Sequence, residues 1–394
     1  MRTYCRLAAT AILVALGSCL SAVDFVRDPN KKKGADPLFQ IRRGDKWGYM
    51  NRKGQTVIPP QFVDEGDFFG GLAWVRLANK WGYIDQTGHM EIPCQFDGAG
   101  DFSEGLAPVQ VERKWGFINR QGRLVIAPQF QAVAAFSDGL SRFEIWDTAR
   151  CGGEILTKDS AALREFRMHD FPPVANLGCA PQDGRNGFVD HSGVIAIAPT
   201  LQHAADFSEG LAVVWLGKPS GSRFGYIDKM GKLVIGPQFD EAQSFSEGLA
   251  AVEIGVRTDG TKQIAGESGF IDPQGKFVIP PRFAFDFVSS FSEGTAAVCL
   301  PGMHCGYIDK QGVFVIPPKY QEATPFSEGL AWVSPENEED DYYIDRRGRR
   351  VLTPKLPGGR PFRDGLTIVG NPGDQKYVDR EGRVVAPYEA DSRP

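Results

Sequence analysis

Two regularly spaced sets of side chains in this sequence are of types that do chemistry. The first is Asn51, Asp85, Asn119, Asp190, Asp228, Asp272, Asp309, Asp345 and Asp379, which would form a carboxylate column if stacked in register. The second is Glu104, Glu209, Glu247, Glu293 and Glu328, each inside a Ser-Glu-Gly triplet. Aligned, these five would form an acidic stripe able to attract a cation or a basic partner. Spacing decides the first set. Each member stands three residues before a glycine, where Asp or Asn caps its own turn and Gly supplies the positive φ that closes a hairpin. The column is therefore assigned to turn formation. For the second set a solvated turn position is the plain reading, with the acidic stripe beside it.

Other reaction chemistry is not written here. There is no G-x-S-x-G, no Cys/His pair with an orienting third group, no H-E-x-x-H, no P-loop and no dinucleotide fingerprint. His89, His169, His191, His203 and His304 lack metal-ligand spacing, as do the cysteines. The expectation is a chain with no catalytic residue, cofactor or metal.

The elements that position these residues recur about every 34 positions: KWGYMNRKG from Lys46, KWGYIDQTG from Lys80 and KWGFINRQG from Lys114. The tryptophan slot continues as Asn186, Phe224, Ser268, Cys305, Asp341 and Gln375. A β-rich strand ending in proline follows each turn (LVIAP, KFVIPP), then an aromatic, then FSEGLA or a relative, eight times in all. Almost all length variation falls between GLA and the next tryptophan slot, as expected of stacked units with insertions at one edge. Each unit reads as three short strands, with Trp47, Trp81 and Trp115 in the core.

Lys-Trp-Gly, Tyr/Phe-Ile-Asp, x-x-Gly, Val-Ile-Pro-Pro and Phe-Ser-Glu-Gly-Leu-Ala together resemble the bacterial WG (KWG) repeat over roughly residues 42–388. The later copies depart from it at Asn186, Phe224, Ser268 and Cys305, and lose the glycine at Tyr342 and Lys376. The resemblance implies a tandem β-repeat, commonly in an envelope or surface setting, and no shared reaction. The expected fold is all-β: about eight three-stranded meander repeats in an open, curved, solenoid-like array, with a closed β-propeller as the alternative. The open form is preferred because the chain begins and ends on the same half-unit.

The ends and the insertion complete the reading. Residues 1–22 have the order of a secretory signal, either a lipoprotein type with Cys19 lipidated or an ordinary one cleaved after Ala22. Residues 23–41 read as a linker and 42–390 as the repeat domain. Removing residues 1–22, with two arginines and no acid, moves the formal charge from −5 to −7, which argues against a nucleic-acid partner. An extracytoplasmic location follows, with membrane contact only through an N-terminal lipid. In an oxidising compartment Cys151–Cys179 and Cys299–Cys305 are the economical disulfides, and Cys94 is a buried free thiol. The segment 144–181 breaks the rhythm and includes a short helix within KDSAALREFRMH. Its Arg150, Arg164, Arg167, His169 and Asp170 are the preferred binding candidates, with Trp74, Trp215 and Trp332 as sugar-stacking platforms. The functional reading is a non-enzymatic module engaging a protein or glycan along its loop edge. A ligand-free spacer and an enzyme sited in the insertion are the alternatives.

Overall fold

The computed structural model describes residues 36–145, 185–216, 223–259, 262–284, 288–300, 304–336, 340–371 and 373–388. These residues are strand and turn throughout, with no helix among them. The helix expected within 144–181 lies outside the described residues.

The second unit shows why the sequence folds as it does. Leu72–Leu77 pairs antiparallel with Lys80–Asp85, from Leu72 opposite Asp85 to Leu77 opposite Lys80. Lys80–Asp85 then pairs with Met90–Phe96, but the register shifts between Trp81–Phe96 and Tyr83–Ile92. That bulge presses the third strand onto Gly82, where an added Cβ would lie 2.5 Å from the Ile92 carbonyl oxygen and 2.7 Å from the Cys94 nitrogen. The glycine after the tryptophan therefore exists to admit backbone. In the ninth unit Lys376 pairs directly with Pro387, no bulge sits over it, and the glycine is gone. The proline-bearing third strand stands at the edge of most sheets. Proline there removes an N–H that an intruding strand would need.

A three-stranded sheet has two faces, and these are buried by stacking. Nine apolar clusters occur among the described residues, eight of them built from two consecutive units. One ring contact recurs at eight joints: the aromatic after WG meets the Phe of the next FSEG turn, edge-on at six and tilted at Tyr226–Phe245 and Tyr307–Phe326. Tyr83–Phe102, Phe117–Phe136 and Phe270–Phe291 all have centroids 4.9 Å apart. Such pairs add roughly 0.5–1.5 kcal/mol beyond burial. Where that aromatic is Tyr, its hydroxyl donates to a carbonyl 17 residues on, as in Tyr83 to Gly100 at 2.8 Å and Tyr226 to Gln243 at 2.8 Å. Burial pushes both phenols well above the usual tyrosine range.

The ninth cluster joins the two ends of the chain. Phe39 and Met50 of the first unit pack on Leu366 and Tyr377 of the last, with the Phe39 and Tyr377 rings 5.8 Å apart. The array is therefore closed, as a β-propeller, and the preference for an open form is corrected. LFQIRR (Leu38–Arg43) is a full first strand paired along its length with Lys46–Asn51. The terminal pieces are thus whole blades rather than halves, and each brings an apolar face that the other covers. Among the described residues, eight FSEG-type joints and one closing contact connect nine blades, each a three-stranded meander to which a two-residue strand such as Asp64–Glu65 adds a fourth in blades 2 to 6. Blades 7 and 8 share one continuous strand, Phe314–Ala323.

The closing contact carries its own device. The sequence ahead of blade 1 carries no FSEG motif, and among the described residues the turn of blade 9 bonds to no turn of blade 1. There Arg363 replaces the usual Ser, and its guanidinium reaches past blade 1 to the carboxylate of Asp67 in blade 2, which also accepts from Gln40 Nε2 at 3.2 Å. Arg363 lies 5.8 Å from the centroid of Phe69.

Two expected outcomes follow. Gly82→Ala should destabilise by roughly 3 kcal/mol, whereas Gly236→Ala, with nothing within 4 Å of the new Cβ, should be neutral or slightly stabilising; urea midpoints compare them. Arg363→Ala should cost on the order of 1 kcal/mol. It should also speed hydrogen exchange in Leu38–Arg43 and Val384–Tyr388 more than Ser327→Ala does.

Candidate functional site

The second set of acids has a defined use. Glu104, Glu209, Glu247, Glu293 and Glu328 all adopt φ between 50° and 54°, as do Asp138 and Asp364 at 55° and 52°. A non-glycine residue held there costs of order 1–3 kcal/mol. Each of the first six carboxylates in chain order accepts the amide N–H of the turn glycine in the following blade. Gly139 donates to Glu104 at 3.0 Å, Gly248 to Glu209 at 2.8 Å, Gly329 to Glu293 at 2.9 Å and Gly365 to Glu328 at 3.0 Å. A hydrogen bond to a charged group returns about 1.5–3 kcal/mol, enough to hold the strained backbone. Beside it the turn serine donates to the carbonyl of the next FSEG phenylalanine, from Ser103 to Phe136 at 2.6 Å through Ser327 to Phe362 at 2.7 Å. Consecutive turns are thus stitched twice.

A cation completes several stitches. It is the residue after the turn-forming Asp of the following blade: His191 Nε2 lies 3.2 Å from Glu104, Lys310 Nζ 3.2 Å from Glu247, and Arg346 and Arg380 lie 2.8 and 2.9 Å from Glu293 and Glu328. Burial draws the Glu293 carboxyl upward, but Arg346 and the Gly329 amide outweigh it and leave the group below its ordinary range. The acidic stripe is in large part neutralised and committed to the joints. Sequence reasoning missed this because each cation is two motifs away from its acid; the recurring Lys, Arg or His after the turn Asp was the available signal.

The first set forms turns, as its spacing implies. Asp190 Oδ1 accepts the amides of Ser192 and Val194 at 2.9 and 3.0 Å, and the Ser192 hydroxyl lowers its pKa most. Asp345 is lowered chiefly by Arg349. Both turn types lie at one end of the ring, because Leu72, which follows its Gly-Gly turn, sits opposite Asp85. The described enlarged connections leave from the other end, among them a hairpin of Arg257–Asp259 with Lys262–Ile264.

The remaining candidates are dispersed. Trp332 is 5% exposed and packs with Tyr343 and Phe362, so it offers no face to a sugar. Trp74 is half-buried and donates to Asp101 at 2.9 Å, while Trp215 is half-buried with His203 edge-on at 5.4 Å. Trp47 is buried, and Trp81 and Trp115 are half-buried. Cys299 and Cys305 form a cross-strand disulfide, and Cys94 is a half-buried free thiol whose pKa burial raises. Arg150, Arg164, Arg167, His169, Asp170, the Cys151–Cys179 pair and Cys19 lie outside the described residues.

At the root of the insertion, between Ile145 and Arg185, sequence reasoning missed a polar cluster. Arg142 donates to Asp206 at 3.0 Å, Glu144 at 2.9 Å and Asn186 at 3.1 Å. Asn186 occupies a tryptophan slot, and its Nδ2 donates to the Gln202 carbonyl at 3.1 Å. Nearby His203 titrates below its ordinary value, mainly through burial. Among the described residues no group of three or more His, Cys, Asp or Glu is arranged to hold a metal ion. No helix among them is long and apolar enough to cross a membrane.

Comparison with known proteins adds the family. No curated protein matches the sequence. Solved structures of similar shape include BamB from Moraxella catarrhalis, 10% identical over 79% of this chain and 92% of that one, with a TM-score of 0.35. The dihydro-heme d1 dehydrogenase NirN in complex with DHE is 12% identical over 81% and 73%, at 0.37. A protein of unknown function from Bacteroides caccae is 13% identical over 52% and 90%, at 0.26. Likenesses this distant bear on no part of the function. The WG containing repeat model matches residues 47–81, 81–115, 115–145, 187–216, 224–255, 269–300 and 306–337. These matches take in more than half of the chain, each running from the tryptophan slot or the residue after it, in the second strand of one blade, across a joint into the next blade, so the protein belongs to the WG containing repeat family.

Proposed function

We propose that this protein is a non-enzymatic binding or scaffolding module of the cell envelope, engaging a protein or glycan through the end of the ring that bears the variable loops. The observation that carries this reading is a division of labour between the two ends. At the turn end, serine and carboxylate side chains are consumed by the joints between blades. At the other end, lengths vary freely and residues without counterparts elsewhere in the repeat accumulate. A closed stack of sheets is stiff, and a stiff rim presents loops at low entropic cost, which suits recognition. The signal-like residues 1–22 support an extracytoplasmic setting, as does the Cys299–Cys305 disulfide.

The 144–181 segment, with Arg150, Arg164, Arg167, His169 and Asp170, remains the favoured contact region, and the Arg142–Asp206–Glu144–Asn186 cluster anchors its two roots. The test is crosslinking and affinity capture from the native envelope, using the full chain and one in which residues 146–184 are replaced by a short loop like RLAN. A discrete partner captured only by the full chain is expected. Equal capture by both forms would move the contact elsewhere, and capture by neither, together with no glycan binding, would favour a spacer.

A further inference from the structure

We infer that this protein pairs with a second copy of itself through the third strands of blades 3, 4 and 5, Leu124–Phe130, Ile195–Leu201 and Leu233–Phe239. The surface is separate from the loop end and goes beyond the reading above. FSEG turns of consecutive blades bond directly to one another and set the narrow side of the ring. The third strands stand at the opposite edge of their sheets, on the wider side. Blade 3 exposes Leu124 and Val125 there, and blade 4 exposes Val194 and Ile195. Blade 5 adds Met230, Leu233 and Val234. The patch is continuous because each hairpin turn leans on the third strand of the blade before it. A Cβ at Gly193 would lie 3.4 Å from Ile126 Cγ2, and one at Gly231 would lie 3.3 Å from Ile197 Cγ2.

What marks these three blades is the loss of the guards that the others keep. An edge strand is shielded from other chains by charge or by proline. The third strand carries Glu91 in blade 2, Arg282 in blade 6, Lys319 in blade 7 and Arg350 in blade 8. Blades 1, 6 and 7 add a double proline, such as Pro280-Pro281. LVIAPQF, IAIAPTL and LVIGPQF in blades 3 to 5 have no charge and one proline each. Among the described residues no other three consecutive blades are uncharged in this strand. The seven exposed residues are 42–81% accessible. They leave on the order of 600 Å² of largely apolar surface, at the upper end of what a monomer exposes and most of the roughly 800 Å² that each partner buries in a standard interface. A second copy is the occupant that fits. An uncharged surface can meet itself across a twofold axis, each residue finding its counterpart on the other copy. It also brings together two chains of formal charge −5 without placing like charges in contact. Arg123 and Lys232, exposed on the turn side, supply the polar rim.

Sedimentation velocity of the full chain over a wide concentration range tests this. A species of twice the 43.2 kDa chain mass is expected. Val125→Glu combined with Val234→Glu should weaken the dimer by roughly a hundredfold or more, since like charges then meet across the contact. Both substitutions fall in the slot that Glu91 occupies in blade 2, so the fold already accepts that residue there. Met230→Glu, in an exposed turn, should weaken the dimer in the same direction without altering a strand. Val351→Glu, equally exposed in blade 8, should leave it unchanged. Unchanged circular dichroism spectra and urea midpoints will confirm that the variants fold. A monomer at every concentration, undiminished pairing in the double variant and in Met230→Glu, or equal dissociation by Val351→Glu would each overturn the proposal. A monomer that co-sediments with phosphatidylcholine vesicles and loses this in the double variant would overturn it too, and would give the surface to a membrane.

Discussion

Everything in this fold depends on covering the two apolar faces of a three-stranded sheet. No single blade can do so, and the ring contact between the aromatic after WG and the Phe of the next FSEG turn is where the covering is locked. Tyr83 and Phe102 are both buried, and their neighbours along the strands, Ile92 and Val109, fill the same joint. The polar parts of the motif make sense only beside that contact. Tyrosine spends its hydroxyl on the backbone that carries the partner ring, serine bonds the carbonyl of the next ring, and glutamate bonds the following amide. A four-residue motif thus sets both the spacing and the order of the blades.

The same demand explains closure. An open stack would leave the outer face of blade 1, with Phe39 and Met50, and that of blade 9, with Leu366 and Tyr377, in water. Fully burying side chains of this kind is worth roughly 1.5–3 kcal/mol each, far more than the ring loses by omitting one turn. The seam shows what happens when the motif is missing: Arg363 spans a gap that serine could not, and Phe39 takes the ring position that an FSEG phenylalanine holds elsewhere. The irregular residues of blades 8, 9, 1 and 2 mark the place where a linear chain becomes a ring.

Much of this was legible in the residues. Period, strand count per unit, the Asp-to-Gly turns and the concentration of length change at one edge follow from local rules of turn chemistry and alternation. Closure was not, because LFQIRR matches no consensus and its role depends on a partner more than 300 residues away. The purpose of Glu104 was hidden for a related reason: its partners, Gly139 and His191, belong to two different motifs of the next blade. The tryptophan slot misled in the other direction. Trp81 and Trp115 sit half-exposed at the loop end, while the tyrosine or phenylalanine two residues on is the true centre of each joint. Within 144–181, where the sequence departs furthest from the repeat, all but Glu144 and Ile145 fall outside the described residues and remain the subject of the functional proposal.

The most direct test of this account is the distance between the two ends of the repeat array, measured by paired spin labels introduced through Lys53→Cys and Arg383→Cys. Neighbouring packed sheets lie about 10 Å apart, so a closed ring predicts one short distance of that order plus the reach of the label arms. Nine blades stacked in an open array at the same spacing would separate the labels by on the order of 80 Å. A long or broad distribution would contradict closure, and with it the roles assigned to Arg363 and the seam.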